Sequence, residues 1–161
     1  GYCAGDHCYK SSRMVIRNLV ECVSKNGNLL LNVGPNAKGE IPEESLTILK
    51  DIGAWMKENS ASIYGCGISE LPKPEWGRYT QNGNKLYAHV FEECVNAICV
   101  DLPPERVASI RLLKDGSQIL PFTYWTVKAY PTRTFFAFGK NKKPFPLPDE
   151  MDTVVEFTLK D

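Results

Sequence analysis

The chain has 161 residues, the size of about one domain or of two very small ones, which excludes a complete large enzyme. Hydrophobic residues make up 43% and charged residues 24%, a composition typical of a globular protein with a core. Nineteen Lys and Arg balance 19 Asp and Glu, so no nucleic-acid partner is predicted. The longest dense apolar run ends at Asn32, far short of the ~20 residues of a bilayer span, so no membrane partner is predicted either.

Residues 11–25 are predicted to form a helix. Their apolar side chains follow the i, i+3, i+4, i+7 spacing of one helix face, at Ile16, Leu19, Val20 and Val23. Ser11 and Ser12 are the candidate N-caps. Asn26-Gly27 ends the helix, and Gly27 is the residue expected to take the left-handed conformation.

A strand and a second helix are expected next. Residues 29–33 are apolar without alternation, which predicts a strand buried on both faces, as in a parallel sheet. Pro42 fits the first position of a helix that runs to about Asn59, and Glu43 and Glu44 fit its positive N-terminal end.

Beyond residue 65 the pattern changes to short strands separated by turn residues. The separators include Asn82-Gly83 and Asp115-Gly116. Strands are predicted at 85–91, 97–100, 109–113, 118–120, 124–129, 134–138 and 153–159. Seven such strands indicate an antiparallel β-sandwich. Two units are therefore expected, residues 1–65 and residues 66–161.

The six cysteines are predicted to be mainly buried free thiols, because Cys22 and Cys99 lie inside apolar patterns. Cys3 and Cys8 flank Asp6 and His7, but no second pair of ligands completes a zinc site, so no metal is predicted. Free thiols and the lack of an Asn-x-Ser/Thr acceptor favour a reducing, cytoplasmic bacterial setting, although the compartment stays open.

The order and spacing of several segments resemble the α-L-fucosidases of glycoside hydrolase family 29. These segments are residues 24–35 (SKNGNLLLNVGP), Gly39-Glu40-Ile41-Pro42, Ile52-Gly53-Ala54-Trp55 and Ile63-Tyr64-Gly65. In that family they form the end of a (β/α)8 catalytic barrel, and a β-sandwich follows. The resemblance implies an α+β fragment: a helix-strand-helix remnant of the barrel followed by an antiparallel β-sandwich.

The same resemblance implies retaining hydrolysis of terminal α-L-fucose from glycans, by an Asp nucleophile and a Glu acid/base that lie upstream of the matched segments. No residue here corresponds to either, so the chain alone is predicted to be inactive and no cofactor is expected. Asp149, Glu150 and Asp152 are interpreted as a solvated loop, and His89 as a lone strand imidazole. The expected partners are a fucosylated glycan, bound through the complete enzyme, and a missing upstream barrel or another copy of the chain.

Three residues are candidates for the periphery of a sugar pocket. Barrel enzymes place their chemistry at the carboxyl ends of strands, here at Asn32 and Gly34. Tyr2 is included because the family often has an aromatic residue next to the matched Gly-Tyr. A separate sugar-stacking platform on the sandwich is a second candidate site, with rings from Trp76, Tyr124, Trp125 and Tyr130.

Two alternatives to the fucosidase fragment remain open at this stage. One is a carbohydrate-binding sandwich that works without a barrel, which two or more exposed coplanar aromatic rings would favour. The other is a structural subunit that completes a barrel supplied by another chain, which an unpartnered apolar face would favour.

Overall fold

The computed structural model describes residues 2–3, 5–123, 125–138 and 145–160, and its elements form three layers. A four-stranded antiparallel sheet of order β1-β2-β6-β4 lies in the middle, a β3-β5 pair covers one face and two helices cover the other. The helices are α1 (Ser12–Val23), α2 (Glu43–Asn59) and α3 (Trp125–Ala129). The strands are β1 (Gly77–Asn82), β2 (Lys85–Val90), β3 (Ile98–Val100), β4 (Val107–Leu112), β5 (Thr134–Phe136) and β6 (Thr153–Leu159).

Both helices predicted before residue 65 are confirmed. Ser11 caps α1, since its hydroxyl accepts a hydrogen bond from the Met14 backbone N–H at 3.1 Å. The left-handed residue after α1 is Asn26, with φ 60°, and not Gly27 as expected. Asn26 gains a compensating contact there, because its side-chain oxygen accepts the Ile68 N–H at 2.6 Å.

The predicted strand at residues 29–33 is wrong for this chain. The segment belongs to neither sheet of the described residues, and it is not buried on both faces, since Leu30 is 85% exposed and Leu31 is 41% exposed. A strand needs a neighbour to pair its backbone groups, and the described part of the chain supplies none here. Residues 12–59 therefore consist of two helices and an extended segment between them.

The second half contains two antiparallel sheets, as expected, but individual strands differ. β6 has the predicted bounds, β2, β3 and β5 are shorter than predicted, and β4 begins at Val107 instead of residue 109. Residues 118–120 form only an isolated bridge from Gln118 to Arg111. The predicted strand at 124–129 is wrong, because residues 125–129 form helix α3, and Tyr124 lies outside the described residues.

Strand β1 was not predicted at all. It begins at Gly77, a residue that usually weakens a strand. Here glycine is required, because a Cβ at this position would lie 1.8 Å from the His89 carbonyl oxygen on β2. The close approach of the two backbones explains why an apparent breaker starts an edge strand.

The middle sheet separates two hydrophobic clusters. Alternate β2 residues point to opposite faces: Leu86, Ala88 and Val90 join the core shared with the β3-β5 pair, whereas Tyr87 joins the cluster under α1 and α2. This alternation ties the helices to the sheet. Across the described residues, no helix is both long and apolar enough to cross a membrane.

Candidate functional site

A cavity of about 250 Å³ lies where the N-terminal segment, residues 31–34 and the first half of α2 meet. Its walls combine aromatic, polar and apolar side chains. They come from Tyr2, Cys3, Asp6, Cys8, Tyr9, Lys10, Val15, Leu31, Asn32, Val33, Gly34, Pro42, Ser45, Ile48 and Leu49. Tyr2, Asn32 and Gly34, the three residues predicted for a pocket periphery, all line this cavity.

Local hydrogen bonds shape the two loops of the cavity. The Asp6 N–H donates to the Cys3 carbonyl at 3.0 Å, and the Asp6 carboxylate accepts the Cys8 N–H at 2.9 Å. On the other side, the Asn36 side-chain oxygen accepts the N–H groups of Lys38 and Glu40. This Asx-type turn leads the chain from Gly34 into α2, so that both loops border one space.

The polar groups of the cavity suit a ligand with several hydroxyls. Asn32 and Ser45 can both donate and accept hydrogen bonds, whereas Lys10 only donates and an ionised Asp6 only accepts. Tyr2 and Tyr9 add aromatic rings, against which the apolar face of a sugar can pack. Desolvation and the neighbouring charge of Glu44 raise the pKa of Tyr9, so its hydroxyl stays protonated and able to donate at neutral pH.

Three further residues line the cavity without having been predicted from the sequence: Tyr9, Lys10 and Ser45. Lys10 and Tyr9 lie only one and two residues before the Ser11 cap, and the chain reverses between Tyr2 and this point. The sequence offers one indication of this role, since Tyr9 is a second aromatic residue close to the helix cap. The turn at Asp6, which brings Tyr9 to the cavity, cannot be recognised from that pattern.

Of the four proposed platform residues, the structure describes the side chains of Trp76 and Tyr130. Trp76 is only 8% exposed, packs edge-on against Tyr79 and donates its indole N–H to the Cys99 carbonyl at 3.0 Å, so it belongs to the core. Tyr130 is half exposed and lies under the Arg133 guanidinium at 5.5 Å. Tyr124 and the side chain of Trp125 lie outside the described residues.

All six cysteines are free, as predicted, but none of them is fully buried. Cys3 and Cys8 are exposed at the cavity, and the other four are partly buried. Both exposed thiols precede the first helix, where no second layer covers the chain. Among the described residues, no three His, Cys, Asp or Glu side chains come together as metal ligands.

A second polar cluster is buried between the helices and the sheet. His89 Nδ1 lies 2.6 Å from the Asp152 carboxylate, and His89 Nε2 lies 3.0 Å from the Thr80 hydroxyl. The solvated-loop interpretation of Asp152 and the lone-imidazole interpretation of His89 are therefore wrong. Asp152 directly follows a loop but is buried, and the indole N–H of Trp55 on α2 donates to its carbonyl at 3.1 Å.

This order of hydroxyl, imidazole and carboxylate resembles a nucleophilic relay, but burial excludes that chemistry. The side chains of His89 and Asp152 are 0% exposed, so no substrate reaches the Thr80 hydroxyl. The cluster therefore holds layers together, and the cavity near Tyr2 is the better candidate for ligand binding.

Comparison with known proteins gives a consistent result. The family model described as "Alpha-L-fucosidase" matches residues 1–61. The α-L-fucosidase of Dictyostelium discoideum is 40% identical over 88 residues, which are 52% of this chain and 19% of that protein. The human plasma α-L-fucosidase is 39% identical over 61 residues, 38% of this chain and 13% of that protein. The chain thus spans a fifth or less of these curated relatives.

Solved structures extend the similarity to the second half. α-L-fucosidase isoenzyme 1 from Paenibacillus thiaminolyticus superposes with a TM-score of 0.93 and 52% identity over 100% of this chain and 37% of that chain. A family 29 α-L-fucosidase from Bacteroides thetaiotaomicron has a TM-score of 0.80 and 25% identity over 95% of this chain and 33% of that chain. The similarity therefore covers the helices, the cavity and both sheets.

Proposed function

Because this chain belongs to the α-L-fucosidase family and is a C-terminal piece of such a glycoside hydrolase, we propose that its complete protein removes terminal α-L-fucose from glycans with retention of configuration. The observation that carries the proposal is the match to the Paenibacillus enzyme, with 52% identity and a TM-score of 0.93 over the whole chain. A covalent intermediate of the Bacteroides relative has been trapped with 2-fluoro-fucosyl fluoride, which supports retention in this family.

We assign this chain a supporting role in that reaction. Residues 1–65 form the closing segment of the catalytic barrel, and residues 66–161 form the C-terminal sandwich that braces it. The catalytic carboxylates come from the remainder of the protein, since no residue of this chain matches them. The exposure of Leu30 and Leu31 supports the role, because consecutive residues of a strand point to opposite faces, and in a complete barrel the packed interior covers one face while the outer helices cover the other.

Tyr2, Asn32 and Gly34 form one edge of the fucose pocket in this proposal. They share a cavity that opens beside the extended segment. The Asn32 amide hydrogen-bonds a sugar hydroxyl or a neighbouring loop, Tyr2 supplies an aromatic wall, and Gly34 lets the ligand approach the backbone.

The test of the supporting role is an assay with an activated aryl α-L-fucoside. We expect no turnover by the isolated chain and turnover by the complete protein. Mixing the chain with a separately produced upstream barrel distinguishes covalent from subunit completion, because activity on mixing would show that this chain can act as a separate subunit. Turnover by the isolated chain that is abolished by mutating one of its own carboxylates would contradict the proposal.

The pocket assignment is tested in the complete protein with matched substitutions. Asn32→Ala and Tyr2→Ala should lower kcat/KM by about 10-fold or more, the range for losing one hydrogen bond or one aromatic contact to the transition state. The controls are Asn96→Ala and Tyr64→Ala, which remove an exposed amide and a 72% exposed ring outside the cavity. Equal kcat/KM values for all four variants and the unmodified protein would remove these residues from the pocket.

A carbohydrate-binding module without a barrel has less support. Its platform needs several rings on one surface, and Trp76 lies in the core. Completion of a barrel, by the same chain or by another copy, accounts for the exposed extended segment, whereas a stand-alone sandwich does not.

A further inference from the structure

A line of buried polar groups connects the end of the helical layer to the sheet. The Thr80 hydroxyl on β1 lies 2.7 Å from the carbonyl oxygen of Ser62, which follows α2. The same hydroxyl lies 3.0 Å from His89 Nε2 on β2, and His89 Nδ1 lies 2.6 Å from the Asp152 carboxylate next to β6. All four residues are buried.

The available donors and acceptors along this line determine which nitrogen of His89 carries a hydrogen. The Thr80 hydroxyl has one hydrogen, and the Ser62 carbonyl can only accept. Because the Ser62 carbonyl lies 2.7 Å away, the hydroxyl donates its hydrogen there, and it accepts from His89 Nε2 at 3.0 Å, an ordinary length for an N–H···O bond. His89 therefore carries a hydrogen on Nε2, and one further proton lies between its Nδ1 and the Asp152 carboxylate.

Burial favours the same count. A neutral imidazole beside an ionised carboxylate would leave a net negative charge in a site without water contact. Among the described residues, Oδ1 of Asp152 has no hydrogen-bond partner, so that charge would be poorly compensated. Burial also raises the pKa of the Asp152 carboxyl, against the lowering influence of His89.

We infer that at pH 7 His89 and Asp152 share one proton in the folded chain that the unfolded chain has released. This proton keeps the Thr80 hydroxyl donating to the Ser62 carbonyl. Loss of the proton turns His89 Nε2 into an acceptor that competes with Ser62 for the single hydroxyl hydrogen. The line is thus a proton-dependent clamp between the helices and the sheet.

The other titratable groups around the clamp do not replace this proton. Arg17 of α1 lowers the pKa of Asp152 and Asp149 raises it, but both effects are smaller than those of burial and of His89. The Arg17 guanidinium is also bound elsewhere, to Glu92 and to the Phe91 carbonyl. Burial raises the pKa of the Cys66 thiol near Thr80. Burial likewise raises the pKa of Tyr87, on the same face of β2, to about 12, so it stays neutral at pH 7.

The direct test is the ring-nitrogen spectrum of the chain labelled with 15N-histidine. The sequence has two histidines, of which His7 is exposed and His89 is buried. We expect a hydrogen on His89 Nε2 throughout pH 6–8, and its resonance is assigned by its loss in His89→Gln. A neutral His89 with its only hydrogen on Nδ1 at pH 7 would overturn the inference.

A second test measures the folding equilibrium by urea unfolding between pH 6.5 and 8. The unfolded imidazole loses its proton near its ordinary pKa of about 6.5, so the clamp stabilises fully below that pH and its contribution falls as the pH rises. One retained proton lowers the folding equilibrium constant by about threefold per pH unit near pH 6.5, and the fall approaches about tenfold per pH unit toward pH 8 as the unfolded imidazole loses its proton. Asp152→Asn should abolish that slope, whereas Asp101→Asn, at an exposed ion pair with Arg133, should keep it. A slope that is the same in all three proteins would contradict the shared proton.

Discussion

The cavity region and the middle sheet differ in how far their apolar side chains are buried. Around the cavity, Leu30 and Leu31 are exposed within the extended segment 29–33, which pairs with no described strand. In the middle sheet, β2 and β6 are each paired along both edges, and Leu86 and Phe157 are completely buried. The sheet region therefore buries its apolar residues within this chain, whereas the cavity region leaves two of them exposed, as the proposed completion by a barrel requires.

The largest expected effect is on the stability of the sheet region. Phe157 is fully buried and packs against Phe136 with ring centroids 5.6 Å apart. Phe157→Ala should lower the free energy of unfolding by about 3–5 kcal/mol in urea titrations. Leu30→Ala, at a comparably large apolar residue, should change it by less than about 0.5 kcal/mol. Similar losses for both would mean that residues 29–33 are already packed in this chain.

A smaller effect is expected where the helices meet the sheet. Trp55→Phe keeps an aromatic ring but removes the indole N–H that donates to the buried Asp152 carbonyl. The free energy of unfolding should fall by about 1–3 kcal/mol, because that carbonyl loses its donor without gaining water. Tyr64→Phe serves as the control, since Tyr64 is exposed and should tolerate the change. Indistinguishable unfolding curves would show that this hydrogen bond does not join the layers.

The smallest difference concerns thiol reactivity and needs no substitution. Exposed Cys3 and Cys8 in the cavity region should react first with a thiol reagent at pH 8. Cys66, Cys94 and Cys99 should react more slowly, because desolvation raises the pKa of each thiol and lowers its thiolate fraction. Peptide mapping after partial labelling identifies the order. Early labelling of Cys99 would indicate that the two-stranded sheet opens readily.

The sequence predicted those elements whose residues carry their own local signals. The cap at Ser11, the helical spacing of α1 and the strand-like run of β6 depend only on neighbouring residues, and the structure confirms these elements. Strand β1 was not predicted because it depends on the close approach of Gly77 to β2. The register between two strands cannot be recognised from neighbouring residues alone.

The candidate site was predicted only in part for the same reason. Asn32 and Gly34 follow an apolar run, a local signal, and Tyr2 came from the family resemblance. Tyr9 and Lys10 reach the cavity through a chain reversal held by Asp6. His89 and Asp152 are 63 residues apart and meet only through the pairing of β2 with β6, so their contact could not be read from either local pattern.

Hydrogen exchange at the amides of residues 29–31 tests the central claim most directly, because it reports whether the extended segment has a strand neighbour. In the isolated chain, these amides should exchange nearly as fast as in an unstructured peptide, while those of β2 stay protected. In the complete protein, the same three amides should become protected. Strong protection of residues 29–31 in the isolated chain, with light scattering showing a monomer, would mean that the chain completes this segment by itself and would contradict the account.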